Sequence, residues 1–250
     1  MNIKNKNYIN NEWIDAKSGN TFEVENPFTE DIIAKVPYSK AEDVDNAVLA
    51  AKSAWKNWKT LGSLDMRDLL REVAVKSRKH EREIAEIIVA ESGKALIECL
   101  DEIEWIASIF EYYSEIGRDQ KGRVVAPVAS RSMSMVVKEA YGVVGCIVPW
   151  NYPLLLMAWK VAPALAAGNT LVIKPSEYTP LSIMRWLEVA CDHLPQGTVN
   201  MITGDGVTGS YLVEHSETRV IAFTGSVDTG KKIAIMAARQ LKKTSLELGG

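Results

Sequence analysis

From residue 143 onward, short apolar runs and helical patterns alternate without interruption, and no other feature of the chain restricts its fold so tightly. The apolar runs cover 143–148, 170–173, 198–202, 220–223 and 244–248. The stretches between them, 153–167, 181–194, 208–214 and 227–241, carry helical periodicity, the first opened by Pro153. Strands separated by helices connect through right-handed crossovers into a parallel sheet covered on both faces. The fold class is therefore α/β, a doubly wound, Rossmann-like parallel sheet.

The first 142 residues read differently. Residues 8–37 suggest short strands with turn signals at Ser18-Gly19-Asn20 and Asn26-Pro27. Val44, Ala47, Val48, Ala51, Ala54, Trp55 and Trp58 repeat at helical spacing and predict a helix over 40–59. A second helix is predicted over 64–91 with Ser63 as N-cap, and a third over 94–116 with Gly117 as C-cap. The mixed charges of 76–83 fit a solvated helix face. Around the turn-prone segment 126–130, Val124, Val125, Met133, Met135 and Val137 alternate as an antiparallel pair. Such a hairpin needs a partner along its edges, which suggests a subunit contact. These patterns divide the chain into an N-terminal region of strands and helices (1–120), a hairpin of oligomerisation type (121–140) and a Rossmann-like core (141–250).

Composition excludes several functions. A net charge of −3 supplies no basic field for nucleic acid, and the most apolar stretch, 152–172, is interrupted by Lys160, Pro163 and Asn169. No membrane role is expected, nor a signal peptide in MNIKNKNYINNEW. Cys99, Cys146 and Cys191 form no CxxC pair, so neither a metal site nor a disulfide framework is expected, and a cytoplasmic location fits.

Ligands of open parallel sheets bind beyond the carboxyl ends of the strands. The five exits here carry Pro149-Trp150-Asn151, Lys174-Pro175-Ser176-Glu177, Thr203-Gly204-Asp205-Gly206, Thr224-Gly225-Ser226, and Glu247 before Gly249-Gly250. Two glycine motifs compete for a phosphate. Gly204 to Gly209 is a literal GxGxxG, but it follows the third strand, and Asp228, at ribose-partner spacing, lies in a loop before a helix. Gly225-Ser226 opens the helix near Val227, where free N–H groups, the positive helix end and the Ser226 hydroxyl suit a pyrophosphate. We favour the second, with Gly204 and Gly206 passing near the adenosine half. Lys174 and Glu177 suit a ribose diol, and the carboxylate repels a 2′-phosphate, favouring NAD over NADP.

PWNYP (149–153), KPSE (174–177), FTGS (223–226) and LELGG (246–250), in this order, resemble the aldehyde dehydrogenase superfamily, and the likeness covers nearly the whole chain. The resemblance implies NAD(P)-dependent oxidation of an aldehyde to an acid through a thiohemiacetal. It makes Asn151 an oxyanion donor, Glu247 the general base that activates water, and Lys160 a support for proton transfer near Glu247. Lys174, Ser176 and Glu177 become cofactor ligands on the ribose side, and Gly225 and Ser226 the pyrophosphate contact. Pro149 and Trp150 line the cofactor, which is NAD, with NADP the other candidate. The family's nucleophilic cysteine comes downstream of LELGG, so the resemblance implies the N-terminal portion of an enzyme, inactive alone and a dimer or tetramer when full length. Tyr152 and Trp159 lie seven apart and are expected to share a helix face. Aromatic walls suit a cationic substrate, and branches acting on betaine aldehyde or aminoaldehydes resemble this stretch. Two other readings stay open: a non-catalytic nucleotide-binding or assembly module, and a different Rossmann oxidoreductase led by the 204–209 glycines.

Overall fold

The computed structural model describes residues 3–249, so Gly250 of LELGG and the first two residues of the N-terminal segment lie outside it. The predicted strands all form: β7 (Val143–Ile147), β8 (Thr170–Lys174), β9 (Val199–Met201), β10 (Thr218–Gly225) and β11 (Lys243–Leu248). They pair in parallel in the order β11-β10-β7-β8-β9. From β7 the chain winds outward through β8 and β9, then returns to place β10 and β11 on the other side. The order reverses between β7 and β10, which makes that gap the switch point where a ligand crevice opens.

β7 and β8 are buried along their whole length, and their side chains alternate between two layers. Val144, Cys146, Leu171 and Ile173 face α5 (Pro153–Ala166) and α6 (Leu181–Ala190). Behind these lie α2 (Ser63–Lys79), α3 (Glu81–Ser92) and α4 (Leu96–Ile116). Val143, Ile147 and Val172 face α1 (Ala41–Trp58), α7 (Gly206–Glu214) and α8 (Val227–Ala238). Burial on both faces is why these strands read as continuous apolar runs in the sequence. No helix among the described residues is long and apolar enough to cross a membrane.

The N-terminal region joins the same sheet. β1 (Asn7–Ile9) and β2 (Glu12–Ile14) form a hairpin that pairs antiparallel with β9 through Tyr8 and Met201. Its two-residue turn is Asn10-Asn11, with φ of 55° and 62°, the left-handed pair that such a turn requires. β3 (Thr21–Glu25) and β4 (Ile32–Pro37) make a separate antiparallel pair. The predicted hairpin is β5 (Arg123–Val125) paired antiparallel with β6 (Ser134–Val136), and its Val124, Val128 and Met133 side chains are exposed.

Several helix boundaries differ from expectation. The helix expected over 64–91 is two helices, broken at His80, whose φ of −108° and ψ of 16° are non-helical. The apolar stripe continues in phase across the break, so periodicity carries no sign of it; α2 and α3 both pack on α4 and α6. Gly62, not Ser63, is the N-cap of α2. Gly117 is the C-cap of α4 as expected, but it is right-handed and leads into a short 3-10 turn; a left-handed capping glycine is Gly93, φ +73°, after α3. α6 and α8 stop at Ala190 and Ala238, short of the expected 194 and 241, and Leu241 takes a positive φ.

Candidate active site at the switch point

A crevice of about 740 Å³ opens at the carboxyl ends of β7, β8 and β10. Pro149, Trp150, Lys174, Ser176, Glu177, Gly206, Gly225 and Ser226 all line it, so eight of the nine cofactor residues expected from sequence meet around one space. Gly204 does not line it. Its φ is +148°, and a Cβ there would fall 2.1 Å from the Thr208 hydroxyl, which donates to the Ser39 carbonyl at 2.7 Å. Glycine at 204 is explained by the packing of α7 against its own loop.

The N-termini of the four helices that follow the strands decide which can receive a phosphate. Leu154 and Leu155 at the start of α5 donate to Glu102 Oε1 at 2.9 and 3.0 Å. Leu181 and Ser182 at the start of α6 donate to the two oxygens of Glu91 at 2.7 and 3.0 Å. At α7, Val207 donates to the Asp205 carboxylate at 2.8 Å. Burial raises the pKa of Asp205, but a hydrogen bond from Tyr38 and the α7 amides outweighs it and holds the group below its ordinary range. At α8 the cap is the Ser226 hydroxyl, not a carboxyl group, and it accepts from Thr229 N at 3.3 Å. Asp228 stands in the first turn of α8 but accepts no helix N–H among the described residues. A pyrophosphate therefore finds anionic or carboxyl-filled ends at α5, α6 and α7, and an open one at α8. This favours Gly225-Ser226 over the GxGxxG run.

Lys174 is buried, and its ammonium donates to the Pro175 carbonyl at 2.7 Å while lying 3.7 Å from Glu177 Oε2. Burial pulls its pKa down, against the pull of the Glu177 and Asp205 carboxylates. Gly209 of α7 passes alongside, where a Cβ would sit 3.6 Å from Lys174 Cδ. The paired ammonium and carboxylate present a donor and an acceptor to the same space.

The three expected catalytic residues lie close by. Asn151 is exposed at the exit of β7, immediately before the N-cap of α5. Lys160, two turns into α5, is buried and donates to Thr224 Oγ1. Thr224 pairs with Glu247 in the register of β10 and β11. Burial lowers the Lys160 pKa, opposed by Cys146 and Glu247. Lys160, Thr224 and Glu247 thus form one group, while among the described residues no hydrogen bond joins Asn151 to it. Glu247 itself is exposed on the edge strand.

Tyr152 corrects one expectation. It is the N-cap of α5, with φ of −135°, and lies outside the helix, so helical spacing does not carry it onto the Trp159 face. Its ring packs on Trp105 at 6.4 Å between centroids, and Lys94 Nζ stands 3.5 Å from its centroid. Lys94 also donates to Glu102 Oε2 at 2.7 Å. Glu91, Lys94, Glu102 and Trp105 were not singled out from the sequence. A signal was available: Tyr152 and Pro180 stand where α5 and α6 need caps, and neither supplies one.

Burial pushes the Glu91 carboxyl up to about 8, against the lowering effect of its N–H donors. The folded state then holds a proton that the unfolded chain releases near its ordinary value. This contribution to stability is complete below about pH 4.5 and is lost as pH rises through about 8, by at most about 1.4 kcal/mol per pH unit. Urea midpoints measured from pH 5 to 9 should fall more steeply for the wild type than for Glu91→Gln, which has no proton to lose. Parallel curves would contradict this.

Comparison with known proteins identifies the chain. The model of the aldehyde dehydrogenase family matches residues 13–250. The chain is 38% identical to the betaine aldehyde dehydrogenase of Bacillus subtilis (strain 168) over 247 residues, 97% of this chain and 50% of that protein. It is 40% identical to aminoaldehyde dehydrogenase 2 of Zea mays, over 97% of this chain and 50% of that protein. A crystal structure of betaine aldehyde dehydrogenase from Staphylococcus aureus in complex with NAD+ superimposes with a TM-score of 0.96 at 35% identity, covering 100% of this chain and 50% of that one. The chain spans about half the length of the relatives it matches. With the motifs, the doubly wound sheet and the family match in agreement, the chain belongs to the aldehyde dehydrogenase family.

Proposed function

We propose that the switch-point crevice binds NAD+ and that the chain serves NAD-dependent oxidation of an aldehyde to a carboxylic acid. The observation that carries this reading is the pairing, around one crevice, of a hydroxyl-capped helix N-terminus at α8 with the Lys174–Glu177 loop. The residues fit the dinucleotide. Gly225 lines the crevice beside Ser226, and a Cβ there would meet Phe223 Cζ at 2.5 Å. Lys174 donates to, and Glu177 accepts from, the hydroxyls of the adenosine ribose. Trp150, 57% exposed, and Pro149 wall the crevice where it leaves β7. Bound NAD+ would supply the hydride acceptor.

The chain's own residues would then do the following. The Asn151 amide donates to the oxygen on which negative charge develops. Glu247, exposed on the edge strand among the described residues, takes a proton from the attacking water. Lys160, through Thr224, keeps a donor and a positive charge behind that carboxylate. For the substrate, Trp105, which packs on Tyr152, and Trp159 each offer a half-exposed aromatic face, which suits a cationic aldehyde such as those named for the relatives. The β5–β6 hairpin is a two-stranded ribbon with solvent on both faces, marginal alone, and we assign it to contact between subunits.

Calorimetric titration tests the cofactor reading. NAD+ should bind more tightly than NADP+, and Glu177→Gln should narrow the gap by about tenfold by removing the carboxylate that repels the 2′-phosphate. Equal affinities in the wild type would overturn the assignment of Glu177.

The 250-residue chain alone should not oxidise aldehydes. Its three cysteines are all buried, and burial pushes the thiols of Cys99 and Cys146 up to about 11 and about 12 and raises that of Cys191 well above its ordinary value. None offers a thiolate nucleophile at neutral pH. NADH formation from betaine aldehyde by the purified chain would contradict this.

A further inference from the structure

We propose that Glu91 and Glu102 are positioning residues that hold the two cofactor loops, 149–152 and 175–180, in one fixed frame. The proposal rests on the reading of the crevice as the NAD+ site and extends it to residues that touch no ligand.

The two loops share a defect. Each leads from a buried strand into a helix whose own N-cap residue, Tyr152 or Pro180, provides no side-chain acceptor. The missing acceptors come from one short stretch far away in the chain. Glu91, at the end of α3, accepts from Leu181 N and Ser182 N, 90 and 91 residues on. Glu102, in the second turn of α4, accepts from Leu154 N and Leu155 N, 52 and 53 residues on. Between them the chain turns sharply at Gly93, and Lys94 reaches back to Glu102 Oε2 and over the Tyr152 ring. Both carboxyl groups are buried, so water does not compete for the amides they hold. The segment 91–102 therefore acts as a brace, with one end on the start of α5 and the other on the start of α6.

What the brace fixes is the distance between the loops. One carries Trp150 and Asn151, the other Lys174 to Glu177, and a dinucleotide in the crevice must touch both. Loops held in the bound geometry spend no ordering entropy on binding. Loosening either end should weaken NAD+ binding without removing any atom that contacts it.

The atoms distinguish the two ends. Glu91 uses both oxygens on helix amides, so Glu91→Gln turns one acceptor into an NH2 facing an N–H. Glu102 uses Oε1 alone for both amides, so Glu102→Gln can keep those bonds and lose only the Lys94 contact. Glu91→Gln should therefore weaken NAD+ by about tenfold, and Glu102→Gln by less.

The test is calorimetric titration of NAD+ into the 250-residue chain and these variants, with Leu70→Ala as a control. Leu70 is a buried core residue of α2 outside the brace, so its truncation lowers stability without loosening the loops. Amide hydrogen exchange of the same proteins is read in parallel, without ligand. The proposal expects loops 149–152 and 175–182 to exchange faster in Glu91→Gln than in Leu70→Ala while β8 stays protected, and expects affinity to fall only in the brace variants. Unchanged loop exchange in a folded Glu91→Gln, or equal loss of affinity in Leu70→Ala, overturns it. Absence of NAD+ binding in the wild type would overturn the cofactor reading instead, and loop exchange would still decide the brace.

Discussion

Glu102→Ala is expected to remove about 3–5 kcal/mol of stability, because it strips a buried charge of its partner and leaves buried amides without an acceptor. Three bonds are lost together: two from the start of α5 and one from Lys94, whose side chain is only 13% exposed. Chemical denaturation at neutral pH checks this through the shift in midpoint at constant slope. A loss below about 1 kcal/mol, the size typical of an exposed ion pair, would show that water replaces the carboxylate and that α5 does not depend on it. Adding Lys94→Met should recover part of the loss, since the unpaired ammonium then disappears as well.

Gly225→Ala should lower NAD+ affinity by about tenfold or more, the consequence of forcing an extra methyl into a filled site. The methyl would fall 2.5 Å from Phe223 Cζ, so that ring or the loop must move at the entrance to α8. Gly206→Ala serves as the internal comparison. No atom lies within 4 Å of the position its Cβ would take, and its effect on affinity should be within about threefold. Equal effects would remove the distinction between the two glycine motifs. A larger effect at Gly206 would return the diphosphate to the GxGxxG run and make Asp205, not Ser226, its neighbour.

The parts of this account that were legible in the sequence share a physical cause. β7 and β8 are buried on both faces, so selection for apolar side chains acts at every position and the runs stand out. The crevice followed from those strands, because polar residues at strand exits need only the rule about carboxyl ends to be gathered into one place. What escaped was set by tertiary contact. The break at His80 lies within an unbroken apolar stripe and shows only in the non-helical backbone at that residue. Tyr152 sits at helical spacing from Trp159 yet stands outside the helix, held by Lys94 and Trp105. The Asn10-Asn11 turn was readable, since two adjacent asparagines favour left-handed backbone, but it lay in a segment read only as short strands. Glu91 and Glu102 look in sequence like ordinary helix-surface carboxylates. Only the uncapped starts of α5 and α6 point to them.

A crystal structure of the chain with NAD+ tests the central claim most directly. The account predicts the diphosphate at the N-terminus of α8 beside Gly225 and Ser226, with the adenosine ribose between Lys174 and Glu177. A diphosphate seated on Gly204 to Gly209, or a nucleotide bound away from the gap between β7 and β10, would contradict it.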